Sequence, residues 1–241
     1  MLQSGAICVL AQQIAKVPGF TSQAQTLLDS ILAELCQNYD FDLAKGLMSF
    51  NFNPSLGNGI LGGPIPLAPD YLRAKFRDVF YSISGYPYFM KAVDLAQIDQ
   101  TPQAPGLQSF PSFYATDMSQ SPPVAYVYPP PSGAYPVTWR YYRQMPSLFN
   151  ALGVFNSAAI PWFPNDVYLY TRLAGELMKL AGDDRWVVFL GRNRNGTGAQ
   201  DILDRYLDIK DDHSDRAETV QLDTRTFGIG SKVLPTKAQP L

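Results

Sequence analysis

The chain has one histidine, His213, and two cysteines, Cys8 and Cys36, in 241 residues. A metal site of four cysteines, of two cysteines with two histidines, or of three histidines therefore cannot be assembled within one copy. A Ser-His-Asp triad would have to use His213. That residue sits in Lys210-Asp-Asp-His-Ser-Asp215, a hydrated stretch with nothing to hold an imidazole rigid. No apolar run reaches the roughly 18 residues of a membrane-spanning helix. Met1-Leu-Gln-Ser-Gly5 lacks the basic flank of a signal peptide, so no leader is expected. A P-loop and a G-x-S-x-G nucleophile elbow are also missing. The Gly-rich run Gly191–Gly198 follows a predicted helix rather than a strand, which argues against phosphate binding.

Charge is sparse as well. Only 17% of residues are charged, and the formal net charge is −2, which excludes a generally basic nucleic-acid binder. From Gly46 to Pro69 there is no charged residue, and between Thr101 and Trp139 only Asp117 carries one. Nine prolines fall in that second stretch. A disordered chain would be richer in charge and poorer in Leu, Ile and Phe. These stretches are expected to be loops and edge strands lying against another surface. Aromatics are abundant at 13%, and most are Tyr or Phe, which suit both a core and an interface.

The ends have helical spacing. Ile7, Leu10, Ile14 and Val17 make one face of a first helix, with Ser4 as its expected cap and Pro18-Gly19 as its stop. Ala24, Leu27, Leu28, Ile31, Leu32, Leu35, Cys36 and Tyr39 stripe a second, opened by Thr21 or Ser22 with a Ser22–Gln25 capping box. A short link predicts an antiparallel hairpin of the two. Cys8 and Cys36 lie on these stripes and are expected to be reduced core residues.

Residues 71–99 read as strands with turns at Ser84-Gly85 and Tyr86-Pro87, then a helical turn at Asp94–Asp99. Val124–Tyr128 and Val137–Tyr142 read as strands joined in a hairpin by Pro129–Gly133. Ser147–Leu152 reads as a short turn of helix. Asp166–Ala181 is the strongest helix, with stripe Tyr170, Leu173, Leu177 and Leu180 and stop Gly182. Asp183 then caps a helix carrying Trp186, Val187, Phe189 and Leu190. Gly196-Thr-Gly198 breaks it, and Asp201–Lys210 resumes. Glu218–Phe227 alternates like a strand and is a candidate to pair with another chain through Val220, Leu222, Thr224, Arg225 and Phe227.

The expected fold is therefore α+β. Its N- and C-terminal helices build an antiparallel bundle, a proline-bounded small β domain is inserted between them, and an extended tail follows. The divisions fall at 1–45, 46–145, 146–210 and 211–241.

Several strings occur in an order that resembles the head-to-tail adaptor proteins of tailed bacteriophages. They are Pro66-Leu-Ala-Pro-Asp-Tyr-Leu-Arg73, Gly85-Tyr-Pro-Tyr-Phe89, Tyr126-Val-Tyr-Pro-Pro-Pro-Ser132, Trp139-Arg-Tyr-Tyr142, Trp162–Tyr170, Gly175–Lys179 and Asp183-Asp-Arg185. The resemblance covers roughly residues 5–210, and the tail after Lys210 departs from it. It implies a structural subunit of the virion without enzymatic activity or cofactor. Such a subunit forms a ring of twelve copies under the portal, bears the tail nozzle, tube or fibre proteins, and passes double-stranded DNA without reading its sequence or touching a membrane. Tyr71, Arg73, Tyr86, Tyr88, Tyr126 and Tyr128 are the ring-interface candidates. Other readings are a tail-tube or nozzle subunit, a peptide- or carbohydrate-binding module, and a carbohydrate-active enzyme using Asp70, Asp78, Asp94, Asp99 or Asp117.

Overall fold

In a computed structural model of the chain, residues 1–52, 64–75, 77–100 and 108–208 are described. The fold is mixed α+β, with helices and mostly antiparallel sheets. It divides into two compact units, one of residues 1–28 with 148–241, the other of residues 29–147.

In the helical unit, α1 (Ser4–Ala15) buries Ile7, Cys8, Ala11 and Ala15. Ser4 is not its cap. Gln3 holds that position, while the Ser4 hydroxyl donates to Asn156 O (2.6 Å) and its N–H to Ala159 O (2.8 Å). The helix ends on Lys16 in the left-handed region (φ 59°), just before Pro18-Gly19.

The principal partner of α1 is α4 (Asp166–Leu180), not the following helix α2 (Thr21–Asn38) as a hairpin requires. The expected capping box is replaced too, because Ser22 Oγ donates to the Gln23 side chain (3.0 Å). Asn165 caps α4 by accepting from Tyr168 N–H (3.0 Å), and Gly182 (φ 73°) ends it. The buried face of α4 runs through Leu169, Leu173, Ala174, Leu177 and Met178. Leu180 is left exposed and Tyr170 half-buried, so the stripe is rotated from the expected one.

Ser147–Leu152 is not helical. Asn150 Oδ1 accepts from the N–H groups of Leu152 (2.9 Å) and Val154 (3.0 Å), so the side chain competes with the helical ladder and folds a tight turn. Phe149 and Phe155 close that turn edge to face, 5.4 Å apart. Helix α5 (Trp186–Leu190) spans five residues, and residues 199–208 form a last helix.

Among the described residues the sheet unit holds nine strands in two sheets. Sheet A is ordered β1 (Lys45–Asn51), β9 (Pro136–Arg143), β4 (Val79–Ile83), β5 (Tyr86–Phe89), with β3 (Tyr71–Arg73) also on β9. Sheet B is ordered β2 (Ile65–Pro66), β8 (Val124–Tyr128), β7 (Phe113–Asp117), β6 (Lys91–Ala92), and its β6–β7 pair is parallel. Their inner residues share one core of Phe52, Tyr71, Val79, Tyr81, Met90, Tyr114, Val127, Val137 and Trp139.

Ser84 (φ 52°) and Gly85 (φ 85°) make the two-residue turn between β4 and β5, with both central residues left-handed as the twist of a hairpin requires. Tyr86-Pro87 is therefore strand rather than turn. Met90 N–H donates inward to Val79 O (3.0 Å). By alternation Pro87 and Phe89 face the side of β5 that pairs with no strand among the described residues, and Pro87 offers no N–H there.

The expected hairpin of β8 and β9 does not form. β8 belongs to sheet B and β9 to sheet A. Pro129, Pro130 and Pro131 have no N–H to continue a ladder, so the chain leaves one sheet before entering the other. A short helix, α3 (Leu95–Asp99), packs on β7 and β8 with Ile98 buried.

Candidate functional site

Strand alternation sorts the sheet unit into faces. On β9, Val137, Trp139 and Tyr141 point into the core, while Thr138, Arg140 and Tyr142 lie on the opposite face, where Tyr142 is itself buried at 3% exposure. Leu47 on β1, 63% exposed, pairs with Arg140, and Phe80 on β4 pairs with both Thr138 and Phe89.

Basic side chains cover these outer rings. Lys45 (5.9 Å), Arg73 (5.5 Å) and Lys75 (5.6 Å) ring Tyr142. Arg140 lies over Phe80 (5.6 Å) and Arg77 over Phe89 (6.0 Å). Asp42 pairs with Lys45 (2.8 Å), and Asp40 pairs with Arg73 (2.9 Å) and Lys75 (2.5 Å). Burial alone would raise the Asp40 carboxyl. Hydrogen bonds from Lys75 and Arg73 outweigh it and hold Asp40 below the ordinary aspartate value. With Asp78, three acids stand against five bases, and the face is net positive.

The other side of the unit differs. Phe113, Ala115, Asp117, Val124, Tyr126 and Tyr128 point outward from sheet B, where α3 packs on β7 and β8 and Ala115 and Val124 are buried. Asp94, Asp99 and Asp117 are the acids there, and Lys91 is the base.

The six ring-interface candidates do not form one patch. Tyr71 is 3% exposed and packs against Trp139 and Tyr141, so it serves the core rather than a neighbour. Arg73 donates to Gln37 O (2.7 Å) and Tyr39 O (3.1 Å), closing the C-terminal end of α2. Tyr86, 71% exposed, stands at the hairpin tip. Tyr88 stacks between Tyr81 (5.5 Å) and Phe110 (6.4 Å) at the rim. Tyr126 and Tyr128 are half-buried on the outer face of sheet B. Val220, Leu222, Thr224, Arg225, Phe227 and His213 lie outside the described residues.

Of the cations around Tyr142, Arg73 is among the candidates, whereas Lys45 and Lys75 are not, and neither is Arg140. For Arg140 and Tyr142 the signal is present in Pro136–Arg143, where they alternate with core positions. Gly57-Asn-Gly-Ile-Leu-Gly62 has the G-x-G-x-x-G spacing. It lies outside the described residues, and the next described element is β2 rather than the helix that a dinucleotide fingerprint needs.

The carboxylates proposed for catalysis are occupied locally or exposed singly. Asp70 accepts from the Tyr141 hydroxyl (3.0 Å) and Asp78 from Lys75 N–H (3.2 Å). Asp117 accepts from Ser119 and Gln120, and these bonds lower its carboxyl, the direction opposite to that of a general acid. Asp94 holds the N-cap position of α3 and Asp99 is its last residue. Among the described residues no group of His, Cys, Asp and Glu side chains could hold a metal. Cys8 and Cys36 are free and buried. Burial pushes the Cys8 thiol up to about 11, and Cys36 donates to Arg143 O (2.9 Å).

What the described residues present to solvent is a set of exposed rings and charges on a mixed α+β scaffold. The family model described as SU10 adaptor protein matches residues 14–225, and the chain belongs to that family of phage structural adaptors. The match runs past Lys210 to residue 225, so about half of the segment that the resemblance left aside is part of the family pattern. No curated protein matches the chain.

Proposed function

We propose that this chain is a head-to-tail adaptor of a tailed phage. Copies of it form a ring under the portal, probing no sequence in the double-stranded DNA that passes through, and offer a platform to tail nozzle, tube or fibre proteins. The family match over residues 14–225 carries this reading. The exposed, ring-and-charge faces of the sheet unit support it, since ring subunits must each present two different contact patches. In this reading the helices of the two ends complete a bundle, the sheets form its insertion, and the protein resides in the virion with no membrane or cofactor involved. Among the described residues no helix is long and apolar enough to cross a membrane.

Imaging of intact particles tests the assignment. Twelve copies at the neck are expected. Copies along the tail instead replace the adaptor with a tail-tube or nozzle subunit. A chain that stays monomeric when mixed with portal overturns both. Glu218–Phe227 is proposed to add a strand to the portal or a neighbour. Removing residues 215–241 should then leave the fold intact and abolish attachment at the neck.

A further inference from the structure

The sheet unit is electrically two-sided. Both sheets turn their inner residues to one core, so their outer faces point away from each other. Lys45, Arg73, Lys75, Arg77 and Arg140 lie on the sheet A side with Asp40, Asp42 and Asp78. Asp94, Asp99 and Asp117 lie on the sheet B side with Lys91. Composition does not produce this separation, because residues 29–147 hold seven bases and nine acids, of which Arg143, Asp29, Glu34 and Asp70 belong to neither set. Residues 53–63, 76 and 101–107 carry no charge and leave the balance unchanged.

The two faces are also incompletely neutralised. Asp40 and Asp42 answer Arg73, Lys75 and Lys45. Arg140 is exposed with only the Phe80 ring beneath its guanidinium, and Asp94 and Asp99 are exposed with no ion-pair partner among the described residues. Exposed or half-buried rings accompany each set: Phe80 and Phe89 on one side, Phe113 and Tyr126 on the other. Arginine beside aromatic rings is the composition of interface hot spots.

We propose that the outer face of sheet A in one copy docks on the α3 side of sheet B in the next. The occupant is a second copy because the chain itself supplies both complementary surfaces. The contact must be head-to-tail. A two-fold dimer through either face would set like charges against each other, whereas a heterologous contact sets positive against negative and repeats until the ring closes. This deepens the adaptor reading and rests on it. The charges are exposed and act across a Debye length of about 8 Å at physiological salt, so assembly weakens as salt rises.

Charge reversal of the full chain tests the docking. One variant carries Arg140→Glu, and a second carries Asp94→Arg with Asp99→Arg. All three positions are exposed, and circular dichroism checks that both variants keep the native spectrum. In sedimentation velocity at low ionic strength, each variant alone should self-associate about tenfold or more weakly than the unaltered chain. An equal mixture of the two should recover assembly, because each reversed face again meets its opposite. If the unaltered chain forms closed oligomers and the variants do so equally well, or the mixture does not recover, these faces are not the contact and the ring reading survives. If the unaltered chain stays monomeric with portal present, the ring reading falls and the docking falls with it.

Discussion

The helical unit and the sheet unit bury and expose different chemistry. In the helical unit the fully buried positions are mostly aliphatic, such as Ile7, Leu169, Leu173 and Leu177, and its exposed apolar residues include Val9, Leu152, Val154, Ile160, Val167, Leu180, Val187 and Val188. In the sheet unit Trp139, Tyr81 and Tyr71 fill the core, and Tyr86, Tyr88, Phe89, Phe110 and Phe113 reach solvent. Five of the cation–ring contacts described belong to the sheets, and Lys179 over Trp186 belongs to the helices. The lesson concerns area. Short strands contribute few side chains each, so large rings are needed to fill the space between two sheets, and the rings left outside become seats for arginine and lysine. Long helices present whole stripes and can do with smaller groups.

The largest test of this contrast is Trp139→Ala. It empties the centre of the sheet core and is expected to cost about 3–5 kcal/mol, read by chemical denaturation. Hydrogen exchange should rise more in β4 and β9 than in α4, and equal rises in both units would erase the contrast.

A matched pair of glycines sharpens it. A Cβ at Gly46 would sit 2.5 Å from Tyr141 Cζ, in a ring held by its bond to Asp70. Gly46→Ala should cost about 1–3 kcal/mol. At Gly175 the nearest atom is Leu190 Cδ2, also 2.5 Å away, the end of a flexible side chain on a five-residue helix. Gly175→Ala gains up to about 1 kcal/mol of helix propensity against that clash and should cost less than the Gly46 change. The reverse order in melting experiments would show that the sheets, not the helices, yield more easily.

Asn165→Ala should lower stability by about 0.5–2 kcal/mol through the lost cap on α4. Asn165→Asp should retain most of it, as followed by thermal melting.

The smallest effect is electrostatic. Hydrogen bonds from the Arg185 side chain and then its N–H lower the Asp183 carboxyl to about 2. A depressed carboxyl stabilises the folded state above the ordinary aspartate value, and that contribution disappears as pH falls from about 4 toward 2. The amide signals of Arg185 and Trp186 should therefore titrate with a midpoint near 2. A midpoint at the ordinary value would show that the pair does not form in solution.

How much of this can be read from residues alone depends on whether the local signals agree. Around α4, Asn165, Asp166, the apolar spacing and Gly182 all specify the same helix, and its bounds are legible. Strands β8 and β9 are legible too, but their pairing is not. Partner choice depends on sheets assembled from distant segments, and proline between two strands says only that the ladder stops. Ser147–Leu152 misleads because propensity ignores what the Asn150 carboxamide can do once the chain bends. The charged face of sheet A is hidden for a similar reason: Lys45, Arg73 and Arg140 are far apart in sequence and meet only across β1, β3 and β9.

Pro87 has a wider consequence. A bare strand margin in a densely populated assembly invites neighbouring chains to knit their backbones into an open-ended fibril. On β5 that margin lacks one amide proton at its middle. Crowded copies meeting there find no continuous template for cross-β growth, so the hairpin can carry bare tyrosines and phenylalanines at high local concentration and stay free of aggregation from that side.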